Sequence, residues 1–536
     1  MEFDFVIVGA GSAGCPLANR LSESGKYTVA LVEAGGLDTS PWIHIPVGYF
    51  KTMNHPQLDW QYKTEQDPGL NGRSINWPRG RVLGGSSSIN GLLYVRGQRE
   101  DYDQWRQLGN AGWGWDDVAP CFKRAERWED GEDEIRGGEG PLAVSKTRLN
   151  RPSIDRYVEA AQAAGYTYND DYNGETQEGV GYFQMTASGG RRCSAAMAYL
   201  KPVRDRHNLS IFTGLQTKRV LLEEEKAVGI ITVDVTGKGN YEETIIRARR
   251  EVILSAGAIG SPQILMLSGI GPADDLSQVG ISVYHDLKGV GRNLQDHLQA
   301  RPVFKCKSST INTETDSWFK QLKIGIEYAL RRAGPMTMAA SLGTAFLKTR
   351  PELETPDIQF HLQPFSTDKV GSDTHPFNAF TASVLQLRPE SAGHLKLKSA
   401  KIADHPVIHP NYLATPLDCQ TIVDGIRIAR KIARHEPAKS EIIEEYAPGS
   451  MIADDDVDGL LNWARDTATT IYHPTGTCKM GSDPMAVVDE QLRVHGVGNL
   501  RVADASIMPV IVSGNTNAPC IMIGERASDF ILGDTA

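Results

Sequence analysis

The chain has 536 residues, 40% of them apolar and 23% charged, which suits a globular protein of two or more structural units with room for a buried cofactor. Its 56 Lys+Arg against 66 Asp+Glu leave a net charge of -10, which argues against a nucleic-acid surface, because phosphate binding needs clustered excess cations. The seven cysteines are odd in number and form no C-x-x-C pair, so neither a disulfide framework nor a zinc or other metal site is expected, and a reducing compartment is.

Met1 is followed by the acidic Glu2 and Asp4 and no basic or apolar leader, and no run reaches the ~18 apolar residues of a membrane span. A cytoplasmic protein is expected. Peripheral association with the inner face of a membrane stays open, and so does the oligomeric state.

Residues 3–8, F-D-F-V-I-V, read as a buried parallel strand. They run into Gly9-Ala10-Gly11-Ser12-Ala13-Gly14, a G-x-G-x-x-G, and then an apolar stretch from Cys15 to Leu21 suited to a helix on a sheet. A second strand-like run, Tyr27 to Val32, ends at Glu33 and Ala34; the spacing 33 − 14 = 19 is close to that of a ribose-binding acid. Gly9 permits the tight turn, Gly11 lets the backbone approach a pyrophosphate, and Gly14 lets helix and strand pack closely. Free N–H groups of Ser12, Ala13 and the helix start face the phosphates. A carboxylate at Glu33 repels a ribose 2′-phosphate, so NADP is disfavoured; the motif alone does not separate FAD from NAD.

Residues 77–97, W-P-R-G-R-V-L-G-G-S-S-S-I-N-G-L-L-Y-V-R-G, form a second glycine-rich segment. Gly84 and Gly85 before Ser86, Ser87 and Ser88 predict a loop entering a helix, with Arg79 and Arg81 nearby. Residues 252–262 predict a strand followed by a small-residue turn that admits close backbone approach to a ligand. From about 300 to 455 strand-like runs such as 357–362 alternate with helical stretches, and 316–332 reads as an amphipathic helix.

Near the C-terminus, residues 471–481 read I-Y-H-P-T-G-T-C-K-M-G, 501–509 R-V-A-D-A-S-I-M-P and 513–519 S-G-N-T-N-A-P, followed by a terminal helix. His473 is followed by Pro474, which biases it to an extended backbone at a turn; read alone, it is a structural or surface histidine, and Asn517 is turn chemistry. His44, His361, His394 and His409 have no comparable context and are read as structural.

Taken together, the N-terminal fingerprint, R-V-L-G-G-S-S-S-I-N-G at 81–91 and the C-terminal segments resemble the glucose-methanol-choline (GMC) oxidoreductases over nearly the whole chain. Local wording such as I-Y-H-P-T-G-T-C and S-G-N-T-N-A-P looks closest to choline dehydrogenase and aliphatic alcohol dehydrogenase members. The resemblance implies an α/β fold in which a discontinuous Rossmann-like FAD-binding domain (1–150, 196–300 and 461–536) is joined to an α+β substrate-binding domain on an antiparallel sheet (151–195 and 301–460). It implies that Arg79, Val82, Gly84, Gly85, Ser86, Asn90, Gly91, Leu92 and Val95 line FAD. It also places the family's catalytic histidine on His473, as the base, which must be unprotonated near neutral pH, and its second residue, His or Asn, on Asn517, as the donor that fixes the alcohol oxygen as charge develops. Val220, Ala256 and Gly257 fall near its adenosine half. Asp504, Ala505, Asn515 and Pro519 fall near its other end, with Asp504 as a ribityl-hydroxyl acceptor; read alone, Asp504 is a helix N-cap. Ile89 stands where some choline oxidases carry a flavin-linked histidine, so non-covalent FAD is expected.

The expected reaction is oxidation of a primary alcohol to an aldehyde by hydride transfer to the flavin, with electrons passed to a quinone or another acceptor. Choline as substrate, an oxidase using O2, and a non-redox FAD-containing hydroxynitrile lyase are the alternatives. An NAD-linked reductase is disfavoured because no second complete fingerprint with its own acid is present.

Overall fold

Strand Glu2–Val8 lies at the centre of a seven-stranded sheet, paired in parallel with Val29–Glu33 on one side and with Glu243–Leu254 on the other. Its inner residues Phe5, Val6 and Ile7 are fully buried, as a two-faced run of β-branched and aromatic side chains requires. Leu209–Thr213 extends the parallel array beyond Val29–Glu33, and Leu500–Val502 pairs with the end of Glu243–Leu254. The first half of Glu243–Leu254 belongs to an antiparallel set with Lys226–Asp234 and Leu215–Glu223. One sheet therefore takes strands from both ends of the chain. This is a computed structural model, and it describes residues 1–237, 243–368 and 373–534.

Helix Gly14–Ser22 covers this sheet and packs on the terminal helix Asn517–Asp534, so closely that a Cβ on Gly524 would stand 2.4 Å from the Ala13 carbonyl. The buried Glu525 carboxylate ties the two together. It accepts from Arg20 at 2.9 Å, Arg124 at 2.8 Å and the Tyr199 hydroxyl at 2.9 Å.

The second sheet has eight strands and is built largely from the middle of the chain, in the order Ile442–Ala447, Val303–Cys306, Ala379–Gln386, Ile358–Gln363, Gly343–Leu347, Gly179–Tyr182, with Leu298–Ala300 also paired to Ala379–Gln386 and Thr469–Thr470 paired in turn to Leu298–Ala300. All the pairings are antiparallel. Helix Pro416–Ala433 backs it; Gly425 lets that helix sit against Val384, where a Cβ would meet Cγ2 at 2.6 Å. This is the expected pairing of a Rossmann-like sheet with an antiparallel second sheet.

Two local expectations change. The segment after Gly84 is a single 3-10 turn, Gly85–Ser88, and not the start of a longer helix. Gly84 and Gly85 have φ of +87° and +52°, which bends the chain back. Ser87 and Ser88 then donate to the Gly84 and Leu83 carbonyls behind them instead of capping N–H groups ahead. The helix expected over 316–332 forms as Trp318–Arg331, but its only buried residue is Tyr328.

Candidate active site

A cavity runs between the two sheets. At one end it is lined by Gly9, Gly11, Ser12, Ala13, Glu33, Ala34, Ser255, Ala256 and Gly257; at the other by Gln299, Arg301, His361, Gln363, His473 and Asn515.

The first end fits a dinucleotide. A Cβ on Gly9 would strike the Ser255 carbonyl at 2.4 Å and one on Gly14 the Gly9 carbonyl at 1.9 Å, so these glycines are required by the fold itself. A Cβ on Gly11 would meet nothing nearer than the Ser255 carbonyl at 4.0 Å, and one on Gly257 would meet nothing within 4 Å; both face open cavity. No side chain caps the start of helix Gly14–Ser22, leaving its N–H groups for an anion. Glu33 accepts from the Ala10 and Gly35 amides at 2.9 and 2.8 Å, which aims its carboxylate beside the turn. The second glycine loop completes the cradle, since Gly85 packs on Gly11, where a Cβ would stand 2.8 Å from Cα.

Several residues expected at the cofactor do not line the cavity. Gly14 and Gly84 shape turns behind it. Val82 is in a small apolar cluster with Ile43 and Ile89, and Val95 is under Gly514. Val220 is buried, while its neighbours Leu215, Gln216 and Thr217 on the same strand reach the cavity; Pro519 is buried in the terminal helix. Arg79, Gly85, Ser86, Asn90, Gly91, Leu92, Asp504, Ala505 and Asn515 do line it. Arg79 donates to the Tyr472 carbonyl at 2.6 Å, beside His473 and away from the first glycine turn. Asp504 caps the 3-10 turn Ala505–Ile507 through the Ser506 amide at 2.8 Å and binds the Gly257 amide at 2.9 Å. Burial pushes its carboxyl pKa up, as it does that of Glu33.

At the second end, His473 sits on a pinned loop. Its amide donates to Asp296 at 2.8 Å, Ile471 N–H to the His297 carbonyl at 3.0 Å and Thr475 N–H to the Gln295 carbonyl at 2.9 Å. Tyr472 holds φ +72°, strained backbone for an aromatic residue, and this turns His473 into the cavity.

The ring tautomers follow from the contacts. His297 Nε2 lies 3.0 Å from the Leu387 carbonyl, which only accepts, so Nε2 carries the hydrogen and Nδ1 does not. His297 Nδ1 lies 3.0 Å from His473 Nδ1, so that hydrogen belongs to His473. His473 Nε2 is left with its lone pair, and Asn515 Nδ2 is 3.1 Å from it. The structure thus brings Asn515 to His473. The expected partner, Asn517, starts the terminal helix, also lines the cavity, and accepts from the Ser12 hydroxyl at 2.8 Å.

His297, His361 and Asp296 are also found here; His361 reads as structural from sequence alone, and neither His297 nor Asp296 stands out in it. Burial holds His473 well below its usual 6.5, reinforced by His297, His361 and Arg79. Burial also lowers His297 to about 4 and His361 to about 3. A histidine depressed in the folded state is protonated first in the unfolded chain. The stability it contributes is complete above pH 6.5 and is lost as the pH falls from there toward the folded value. We expect Tm to fall between pH 7 and 5, and to fall less in His473→Ala; thermal melts of both proteins across that range check this. Equal losses in the two would show that His473 is not held neutral by the fold.

A family model described as GMC oxidoreductase matches residues 3–299, and a second of that description matches 389–524. The chain is 44% identical to an oxygen-dependent choline dehydrogenase of Vibrio vulnificus (strain YJ016), over 99% of this chain and 94% of that one. It is 42% identical to an alcohol dehydrogenase (acceptor) of Pseudomonas putida, over 99% and 96%. A solved pyridoxine 4-oxidase from Mesorbium loti superposes with a TM-score of 0.88 at 31% identity, over 98% of each chain.

Proposed function

The chain belongs to the GMC oxidoreductase family, FAD-dependent enzymes acting on CH–OH donors, and on that premise we propose that it oxidises a primary alcohol to an aldehyde and delivers the electrons to a quinone. The observation that carries this reading is the chain Leu387 carbonyl–His297–His473, which leaves a neutral imidazole whose unprotonated Nε2 faces the cavity and accepts from Asn515 Nδ2 at 3.1 Å.

FAD, when bound, supplies the acceptor for the hydride. The turn Gly9–Ala13 and the start of helix Gly14–Ser22 would hold its pyrophosphate and Glu33 its adenosine ribose. Ile89 cannot bond to a flavin, which supports non-covalent retention. His473 Nε2 accepts the hydroxyl proton as the C–H bond breaks. An Asn515 N–H donates to the substrate oxygen as charge builds on it. His297 holds the ring orientation and tautomer.

The test is anaerobic mixing of the yellow protein with a panel of primary alcohols, following the flavin band near ~450 nm, and then admission of air. Bleaching with slow recovery in air is expected. Fast recovery would make the enzyme an oxidase, and no bleaching by any alcohol would move the non-redox lyase to the front.

The quinone half of the proposal rests on helix Trp318–Arg331. At 100° per residue its exposed Trp318, Phe319, Leu322, Ile326 and Leu330 fall within an arc of about 120°. The exposed Lys323, which forms no ion pair among the described residues, borders that arc in a chain whose net charge is -10. Such a face suits the surface of an anionic lipid bilayer, where quinones reside. The helix leads through Pro335–Thr337 to Ala340, which lines the cavity. No helix among the described residues is long and apolar enough to cross a membrane. We expect co-sedimentation with phosphatidylglycerol vesicles, little with phosphatidylcholine vesicles, and loss of vesicle binding in Leu322→Glu/Ile326→Glu with alcohol turnover on a soluble acceptor unchanged. Equal recovery of wild type and variant with the vesicles would remove this face from the acceptor pathway.

A further inference from the structure

Arg301, just after strand Leu298–Ala300, is a charged side chain at the cavity wall that has no partner among the described residues. Its guanidinium forms no hydrogen bond or ion pair among the described residues, and its Nη2 is buried. Every other buried arginine described is compensated. Arg96 and Arg136 pair with Glu126, Arg430 with Glu445 and Asp454, and Arg501 with Glu251 and Asp534. Arg192 has no carboxylate but donates to the Ile43, Ser87 and Asn90 carbonyls and to the Asn90 side chain. A buried cation with neither a counter-charge nor hydrogen-bond acceptors is costly, and of the buried arginines described Arg301 alone is left in that state.

The groups around Arg301 are incomplete in the same sense. Gln299 Oε1, His361 Nε2, Gln363 Oε1 and Thr367 Oγ1 are buried at the cavity without partners among the described residues. Gln299 and Gln363 still use their amide nitrogens on the Thr470 and Ala340 carbonyls, at 3.3 Å each. The cavity's carboxylates, Glu33 and Asp504, are at the dinucleotide end and occupied by backbone amides. Of the aromatic residues lining the cavity, Tyr49, Phe50, Trp60, Tyr62, Phe365 and Tyr472, Trp60 already has the Arg81 guanidinium over its ring at 4.9 Å, and Tyr49 and Tyr472 are near enough to Arg301 to interact with its charge.

We propose that Arg301 binds the carboxylate of the substrate, so that the alcohol oxidised at His473 is a hydroxycarboxylate, and that the unpartnered Gln299, Gln363 and Thr367 atoms bind further hydroxyls on it. This rests on the alcohol-oxidising reading above. A carboxylate at Arg301 converts an uncompensated buried charge into a charge-assisted pair. A choline cation in the same cavity would meet Arg301 with no acid to offset it.

The experiment uses the FAD-loaded enzyme, wild type, Arg301→Gln and Arg301→Lys. Anaerobic flavin reduction is measured with 3-hydroxypropionate against 1-propanol, with glycerate against glycerol, and with choline. Separately, unreactive propionate is titrated into each protein by calorimetry. We expect kcat/KM for the acids to exceed that for the matched neutral alcohols at least ~10-fold and choline to be the poorest substrate. Arg301→Gln should lose ~10–100-fold on the acids and on propionate affinity, change less than about 3-fold on neutral alcohols, and raise Tm; Arg301→Lys should recover part of the acid activity. Preference for neutral alcohols or choline, or propionate binding unchanged in Arg301→Gln, overturns the proposal while leaving alcohol oxidation standing. If Arg301→Gln instead lowers FAD content with no change in substrate preference, Arg301 serves the cofactor and the proposal fails. If no alcohol of any class bleaches the flavin, the alcohol-oxidising reading fails, and the propionate titration still decides whether Arg301 is a carboxylate site.

Discussion

His473→Ala is expected to keep its bound FAD and lose about 10²–10⁴-fold in alcohol turnover, the range over which a positioned general base acts. FAD retention follows from where the residue sits. The loop is held by backbone contacts to Gln295, Asp296 and His297 that do not involve the imidazole, and the glycine cradle lies at the opposite end of the cavity. The lost turnover follows from the absence of a substitute. His297 presents Nδ1 toward His473 but is itself fully buried, and its other nitrogen is spent on the Leu387 carbonyl. Asn515 is an amide and takes no proton. Stopped-flow bleaching of the yellow variant measures the effect directly, and a rate within 10-fold of wild type removes His473 from the chemistry. Asn515→Ala should then slow flavin reduction about 10²-fold. Asn517→Ala should leave reduction at saturating FAD nearly unchanged and weaken FAD retention, because Asn517 holds Ser12 and not the base.

The pair Asn515 and Asn517 shows where a single sequence stops being legible. Both lie in S-G-N-T-N, both are turn-prone, and either could face a base 42 or 44 positions upstream. What separates them is the start of the terminal helix at Asn517, which swings its side chain toward Ser12 while Asn515 stays in the loop held by Ser513 on Asp101. Local patterns give the strand, turn and helix of the fingerprint, because its apolar run, glycine spacing and following apolar stretch are contiguous in the chain, and Gly14 packs on the Gly9 carbonyl five residues back. The histidine relay is different in kind: His297 and His473 are 176 residues apart and meet only because two strands of the antiparallel sheet, Leu298–Ala300 and Thr469–Thr470, pair in register. His361 arrives from a third strand, Ile358–Gln363, whose alternation marks it as buried and says nothing of the cavity it faces. Arg301 is equally silent in sequence. Its significance is a missing partner, and absence of a partner is a property of the folded chain.

The three glycines of the fingerprint should separate when tested one at a time. Gly11→Val is expected to fold and to be colourless. Gly11 does not occupy the left-handed region, and a Cβ there would come no closer than 4.0 Å to the Ser255 carbonyl, so the apoprotein accepts the side chain. The isopropyl group then fills the space before the start of helix Gly14–Ser22, where the pyrophosphate would meet the free N–H groups. Gly9→Ala and Gly14→Ala behave oppositely, because their Cβ atoms would collide with the backbone at 2.4 and 1.9 Å, and Gly9 also holds φ +102°. Both should be insoluble or melt well below the wild-type apoprotein, whatever the FAD supply. Circular dichroism, melting temperature and the flavin band, measured together on the three variants, distinguish a glycine needed by the ligand from glycines needed by the fold. A yellow, FAD-loaded Gly11→Val would mean that the pyrophosphate does not cross this turn, and the assignment of the first end of the cavity would have to be abandoned.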